Sequence, residues 1–369
     1  WLDKGVDGFR MDVINYISKE ESLPDVETDQ PGYHWGGKYF VNGPLLHEYL
    51  QEMNSEVLSK YDIMTVGETP NVTLEDAKLF ADESRKELNM VFQFEHMDID
   101  VGAGNKWETV SWTLPELKRI ITKWQTDLVN GWNSIFFGSH DAPRIVSRFG
   151  DDGLYRVESA KMLATLLLTL KGTPYIYQGD EIGMTNVQFP VIDDYRDIEI
   201  LNMYREAVFE KKLPVEQVMQ AIYQKGRDNA RTPLQWDDSI HGGFTKGVPW
   251  INVNPNYKAI NVEKALENPD SIFHYYKKLI KLRKEYPAFV YGDYELFDAD
   301  NEHIFAYKRS MGEESYFVVL NFSSGNVSYS LPDCLSINEL LTGNYQLSDK
   351  DNKNNLKLNP YEARVYRLY

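Results

Sequence analysis

Three carboxylates stand at the ends of short apolar runs. Asp12 closes Gly5–Asp12, Glu68 closes Ile63–Glu68, and Asp141 follows Trp132–Phe137 through Gly138-Ser139-His140. The first run, Gly5–Ile14, is interrupted by Arg10 and reads as a buried strand that delivers a charge to its C-terminal end. Burying an unpaired carboxylate costs roughly several kcal/mol, so Asp12 needs a cationic partner or a chemical task. Arg10, two positions earlier, projects to the same side of a strand and is the local partner. A plain ion pair would explain this one stretch equally well, because ion-pair networks also place acids beside bases. The pattern recurs, however, at Glu68, at Glu95-His96, at Asp141 and at Asp180-Glu181. Several carboxylates delivered to one side of a sheet are a means of acid–base and nucleophilic work.

The elements that would deliver them alternate. A polar stretch, 18–43, reads as a loop, followed by a helix over about 44–59 with apolar residues at Leu45, Leu46, Tyr49, Leu50, Met53, Val57 and Leu58. Thr73 starts a helix as N-cap with Asp76 completing a capping box. Helices are predicted over 113–124, with Pro115 in the first turn, and over 159–170, closed by Lys171-Gly172. Short apolar runs at 90–96, 132–137 and 173–178 fall between them. Five strand-like runs alternating with helices imply a parallel sheet with right-handed crossovers. A (β/α)8 TIM barrel, with its fourth to eighth strands present, would bring Asp12, Glu68 and Asp141 to one mouth. A doubly wound sheet also alternates, but the Gly-rich phosphate turn it would carry is absent. Residues 193–238 read as an extended charged excursion, in which Arg227 and Arg231 could be salt-bridged surface. A helix is predicted next over 271–285. From about residue 291 short alternating stretches separated by Gly, Asn, Asp and Pro indicate a separate antiparallel β-sandwich domain. The expected domains are therefore 1–290 and 291–369.

Composition narrows the partners. Acidic residues outnumber basic ones, 56 against 39, and the formal charge is -17 in 369 residues. Such a chain repels phosphate backbones and anionic lipids, which argues against nucleic acid and membrane partners and favours an uncharged substrate. The 24 Tyr and 8 Trp offer flat faces suited to sugar rings, although core packing accounts for most of them. Cys334 is the single cysteine, which excludes an internal disulfide and points to a reducing, cytoplasmic setting. The chain opens on Trp1 inside a pattern, so an N-terminal portion is expected to be missing.

The assembled motifs resemble the α-glucosidase and oligo-1,6-glucosidase branch of the α-amylase family, glycoside hydrolase family 13. Gly8-Phe9-Arg10-Met11-Asp12-Val13 resembles the family's nucleophile motif, Val66-Gly67-Glu68 its acid/base motif, and Ser139-His140-Asp141 its transition-state-stabiliser motif. Residues 92–96, 173–179 and 230–236 extend the similarity over essentially the whole chain. Most relatives carry Asn where Ser139 stands and Gln where Ala142 stands, departures that bear on substrate preference more than on reaction type. The resemblance implies that the first three barrel strands precede this chain and that the chain alone would be unstable and inactive, with two unpaired sheet edges.

The resemblance also implies roles. Asp12 would attack the anomeric carbon, Glu68 would protonate the leaving oxygen, and Asp141 would hold ring hydroxyls as charge develops. Arg10 would keep Asp12 ionised, and the apolar run before Glu68 suits a raised carboxyl pKa. Retention predicts carboxyl groups about 5 to 5.5 Å apart. His140 would hydrogen-bond beside Asp141, its alternative being a structural histidine. Arg227 would hold the terminal sugar, with Arg231 as the alternative. Glu95 would contact substrate, its alternative being a rim salt bridge with a neighbouring Lys or Arg. Val13 after the nucleophile favours α-1,6 bonds, as relatives acting on α-1,4 bonds tend to carry Ala or Thr there. The expected enzyme is a retaining exo-acting α-glucosidase cleaving isomaltose-type oligosaccharides, monomeric and without a cofactor. Calcium is expected, if anywhere, in a loop preceding this chain. Competing readings are an α-1,4-glucosidase, a trehalose-6-phosphate hydrolase, a sucrose isomerase or a catalytically silent relative. For the C-terminal domain they are a cap on the barrel or a carbohydrate-binding module.

Overall fold

The computed structural model describes residues 1–29, 34–102, 105–346 and 354–369. It divides into two compact units, Trp1–His96 with Ile120–Ile135, and Met97–Arg119 with Phe136–Tyr369. Part of the predicted 18–43 loop, residues 30–33, lies outside the described residues.

The first unit is built on parallel strands β1 (Gly8–Met11), β2 (Met64–Glu68), β3 (Met90–Phe92) and β4 (Trp132–Ile135), adjacent in chain order. Helices α1 (Leu46–Glu56), α2 (Leu74–Ala81) and α3 (Leu114–Thr126) lie between them in sequence, α3 starting in the second unit and ending in the first. Glu68 and Phe92 pair across β2 and β3, so these strands end nearly level and present their C-terminal residues at one edge. Gly8 pairs with Met64, and a Cβ there would lie 2.0 Å from the Met64 carbonyl oxygen. The two strands approach only because that position has no side chain. At α2 the predicted capping box is present: the Thr73 hydroxyl accepts from the Asp76 N–H at 3.1 Å, and the Asp76 carboxylate accepts from the Thr73 N–H at 3.0 Å. One expectation needs correction. β1 is half-buried, not buried, with Arg10 and Asp12 exposed, because it pairs on one side only, with β2.

In the second unit, α4 (Ile145–Phe149) and α5 (Arg156–Thr169) precede a two-residue strand, β5 (Thr173–Pro174). The predicted fifth run is shorter as a strand than expected, and past its end the Asp180 carboxylate accepts the Tyr177 N–H at 3.2 Å. The region read as an extended excursion is instead largely helical: α6 (Ile198–Arg205), continued by a π-helical turn over Glu206–Glu210, then α7 (Val215–Lys225) and α8 (Asp228–Arg231). Its charges obscure an apolar face in which Ile200, Ala207, Val218, Met219 and Ile222 pack with Val187, Phe189, Tyr195 and Ile251. After α9 (Val262–Glu267), α10 (Ile272–Glu285) starts as predicted at a Ser271 cap, and α11 (Ala288–Tyr291) comes next.

Strands β6 (Asp293–Phe297), β7 (Ile304–Met311), β8 (Glu314–Asn321), β9 (Val327–Ser330), β10 (Ile337–Gly343), β11 (Asn355–Leu358) and β12 (Ala363–Leu368) complete the chain. Five of them form an antiparallel sheet in the order β10-β12-β8-β7-β6, and β11 pairs with β9. Phe317, Val319 and Tyr366 of the larger sheet share one apolar cluster with Tyr329, Leu356 and Leu358 of the smaller, the packing of a sandwich. Two buried arginines meet the C-terminal end of α5, Arg283 from α10 and Arg309 from β7 of this domain. Arg283 donates to the carbonyls of Leu168, Leu170 and Phe289 at 2.8 to 2.9 Å, and Arg309 to those of Thr169 and Gly292 at 2.5 and 2.7 Å. A helix C-terminus leaves such carbonyls without intrahelical partners, and a guanidinium supplies several donors at once.

Candidate active site

The first unit gathers Arg10, Asp12, Val13 and Glu68 where β1 and β2 end. The Arg10 guanidinium bonds the Asp12 carboxylate through Nη1 and lies 2.9 Å from Glu68 Oε2 through Nη2. The two acids differ in environment: the Asp12 side chain is 78% exposed and that of Glu68 12%. Val13 takes a left-handed backbone (φ 35°, ψ 45°), uncommon for a β-branched residue. Its N–H donates to Glu68 Oε2 at 3.1 Å. Burial pushes the Glu68 carboxyl above its usual range, and the neighbouring Asp12 charge adds to this, while the Val13 N–H and Arg10 act against it. Glu68 therefore holds a proton to higher pH than an ordinary carboxylate, the property a general acid needs. A Cβ on Gly67 would lie 2.8 Å from both Ile14 Cγ2 and Leu88 Cδ1, so any side chain there would have to displace those two methyls.

Glu95 comes just after β3, and its carboxylate is taken by Lys123 and by the Trp124 indole N–H at 3.0 Å, both on α3. Of the two alternatives for Glu95, these contacts are those of the rim salt bridge.

The second unit gathers His140, Asp141, Arg227 and Arg231. Asp141 Oδ1 accepts from Arg231 Nη2 at 2.7 Å and Arg227 Nη1 at 3.3 Å, and Oδ2 lies 3.0 Å from His140 Nε2. Ser139, a departure from the motif, is not idle: its Oγ accepts the Asp141 N–H at 3.1 Å and fixes the turn. Arg227 and Arg231 are thus not a mere surface pair, and the structure engages both on the same carboxylate.

Sequence reasoning missed Asp197 and Glu199, which lie inside the misread excursion. Asp197 is buried and takes Arg227 in a fork, Nε to Oδ2 at 2.8 Å and Nη2 to Oδ1 at 2.5 Å. Glu199 Oε2 lies 3.0 Å from Arg227 Nε. The available signal was helical: Asp197 caps α6 by accepting the Glu199 N–H. Burial pushes the Asp197 carboxyl up, but the hydrogen bonds and charge of Arg227 outweigh it and hold it below the usual range.

Beneath this grouping lies a buried acid. A Cβ on Gly138 would come within 2.9 Å of Asp180 Oδ2, and Asp180 Oδ1 is buried with no hydrogen-bond partner. Burial pushes Asp180 up to about 7, against the nearby Arg144 charge. Arg144 itself donates to the carbonyls of Gln178, Asn229 and Ala230 at 2.6 to 3.1 Å. Among the described residues no cluster of three or more His, Cys, Asp or Glu is arranged to hold a metal ion.

Comparison with known proteins agrees with these motifs. Residues 1–292 match the family described as alpha amylase, catalytic domain, and residues 304–365 match the alpha-amylase SusG C-terminal domain. An oligo-1,6-glucosidase of Bacillus cereus is 60% identical over 371 residues, covering 100% of this chain and 66% of that protein. One from Parageobacillus thermoglucosidasius is also 60% identical with the same coverage. The chain therefore spans just under two thirds of these relatives. Among solved structures, a trehalose-6-phosphate hydrolase of Bacillus licheniformis has TM-score 0.93 at 45% identity, covering 100% of this chain and 66% of that one. An isomaltulose synthase of Erwinia rhapontici NX5, solved with its natural substrate sucrose, has TM-score 0.94 at 43% identity with the same coverage. Strands β1 to β5 of the present chain are the later part of a (β/α)8 barrel, and the chain belongs to the α-amylase family, glycoside hydrolase family 13.

Proposed function

We propose that the protein carrying this chain is a retaining exo-acting α-glucosidase that hydrolyses α-1,6 bonds in isomaltose-type oligosaccharides. The observation that carries this is the unequal pair on Arg10. Asp12 is hydrogen-bonded to a guanidinium that favours its charged form, as attack on the anomeric carbon requires; Glu68 is shielded and its carboxyl is raised, so it keeps the proton that the leaving oxygen takes. After the glycosyl ester forms on Asp12, Glu68 as carboxylate removes a proton from the incoming water, and the configuration is retained. Asp141, His140 and Arg227 bind sugar hydroxyls, and Val13 narrows the space beside the scissile bond.

The α-1,6 preference is supported by Val13 and by oligo-1,6-glucosidase relatives at 60% identity. A trehalose-6-phosphate hydrolase from Bacillus subtilis at 46% identity keeps a second reading in view, an enzyme for the phosphorylated disaccharide. Residues 1–290 serve catalysis and 291–369 cap them; a cytoplasmic, monomeric, cofactor-free enzyme is the companion reading, its compartment supported by the lone Cys334. No helix among the described residues is long and apolar enough to cross a membrane.

The test is hydrolysis by the intact protein of isomaltose, maltose, trehalose-6-phosphate and sucrose side by side, with the first-formed anomer read by NMR. Isomaltose should be preferred and α-glucose released first. Initial β-glucose would overturn retention, and preference for trehalose-6-phosphate would select the second reading.

A further inference from the structure

The second unit contains a charge cluster that touches neither carboxylate of the proposed chemistry. Asp100, between β3 and α3, is buried and accepts two cations. Arg148 of α4 donates from Nε to Asp100 Oδ2 at 3.1 Å and from Nη2 to Oδ1, and also reaches the Met97 carbonyl. Lys225, the last residue of α7, places Nζ 2.5 Å from Asp100 Oδ1. The side chains of Arg148, Asp100 and Lys225 are 6%, 11% and 5% exposed, so this is an interior network in which each partner depends on the others. The charges of Arg148 and Lys225 outweigh burial and hold the Asp100 carboxyl below its usual range.

Where the two cations sit in the chain gives the cluster its meaning. Arg148 belongs to the helix that starts four residues after Asp141. Lys225 is followed by Gly226, where a Cβ would meet the Ile222 carbonyl at 2.7 Å, and then by Arg227. Asp100 thus holds the end of the segment that delivers Asp141 and the end of the helix that delivers Arg227. Those two side chains meet at 3.3 Å. We propose that Asp100 is a positioning residue: by bonding Arg148 and Lys225 together it fixes the spacing of Asp141 and Arg227, and with it the fit of the glucose unit they hold. This rests on the sugar-binding roles proposed for Asp141 and Arg227. It assigns a task to a residue that no motif of the family resemblance contains.

The experiment uses the intact protein and two readouts, kcat/KM on isomaltose and the affinity for deoxynojirimycin, a glucose-shaped iminosugar, by calorimetry. Asp100→Asn keeps the shape and removes the charge. It should lower both kcat/KM and affinity by about 10- to 100-fold, the scale of a small misplacement of binding groups. In an Arg227→Ala background the same change should cost less than about 2-fold, because residues acting through one another are not additive. Asp98→Asn, at an exposed acid two residues away that feels the same cations without a hydrogen bond to them, should change neither readout by more than about 2-fold. Equal losses in both backgrounds would overturn the proposal, as would a lowered melting temperature with unchanged affinity. If Asp100→Asn does not fold, Lys225→Gln is read by the same criteria. Wild-type protein that binds the iminosugar but leaves isomaltose intact would instead sink the α-1,6 reading and leave the positioning proposal standing on affinity alone.

Discussion

Around Arg10 two carboxylates share one guanidinium, and they differ sharply in exposure; around Arg227 and Arg231 two guanidiniums are shared among Asp141, Asp197 and Glu199. Each grouping has one carboxylate more than it has guanidiniums, but in the first the single arginine does not offset the burial of Glu68, and its carboxyl is raised. In the second the buried acid is held by a guanidinium fork. Arg227 is raised by its hydrogen bonds to Asp197, and Asp197 is lowered despite burial, so both stay ionised. A site that must pass a proton needs the first arrangement, a shielded acid whose burial its cation does not outweigh. A site that must only hold a neutral sugar in register is better served by charges that do not titrate, because their hydrogen bonds keep one geometry across the working pH range.

The largest effects should come from breaking the first grouping. Asp12→Ala or Glu68→Gln in the intact protein should cost at least about 10³-fold in kcat, since each removes a covalent or proton-transfer role. Near-wild-type isomaltose hydrolysis by either variant would refute the assignment. Arg10→Met sharpens the comparison through pH. Activity requires protonated Glu68 and is lost as pH rises through its pKa; Arg10 lowers that pKa, so its removal should shift the alkaline limb of kcat/KM upward. An unmoved limb would mean that Arg10 does not govern Glu68.

Breaking the second grouping should hurt less. Asp197→Ala removes the fork on Arg227 and should lower kcat/KM by about 10- to 100-fold, mostly through KM, as expected where binding, not bond breaking, is lost. A pure kcat effect would place Asp197 nearer the chemistry than its contacts suggest.

Beneath that grouping, Asp180 supplies a stability test. Its folded pKa is raised from 3.8 to about 7, so between those values the folded state binds more protons than the unfolded one. Its contribution is fully present below about pH 4 and is lost as pH rises through 7. Asp180→Asn should flatten that decline in a series of denaturant melts from pH 4 to 8; an unchanged slope would show that Asp180 ionises normally. The smallest effect is on linkage. Val13→Thr should shift the isomaltose-to-maltose kcat/KM ratio toward maltose by about 5- to 10-fold, the scale of a methyl-sized change in a pocket.

Much of this is legible in the sequence alone. The capping box at Thr73 and the Ser271 cap are readable because they are local: donor and acceptor lie three residues apart. Parallel strands are readable from short apolar runs separated by helices. The excursion at 193–238 is misread because α6 and α7 are short, 8 and 11 residues, and the apolar residues they carry find their partners in Val187, Phe189, Tyr195 and Ile251, outside both helices. For Glu95 the two alternatives stay open in the sequence for a different reason. Its partners Lys123 and Trp124 lie on α3, about one crossover away in sequence, and no local pattern names them.

By itself, the sequence determined which residues carry charge, where the five parallel strands and the helices α1, α2, α3, α5 and α10 fall, and which three carboxylates stand at strand ends, because these depend on neighbours within a few residues. Only the tertiary structure decided how the charges are shared. That Asp12 and Glu68 divide one arginine, that Asp197 holds Arg227, and that Asp100 joins α4 to the end of α7 all depend on pairs separated by tens of residues. Burial then sets the result, since the same carboxylate chemistry yields an open Asp12, a shielded and raised Glu68 and a buried but lowered Asp197. Residue type cannot distinguish these three acids; the solvent excluded around each, and the cation beside it, do.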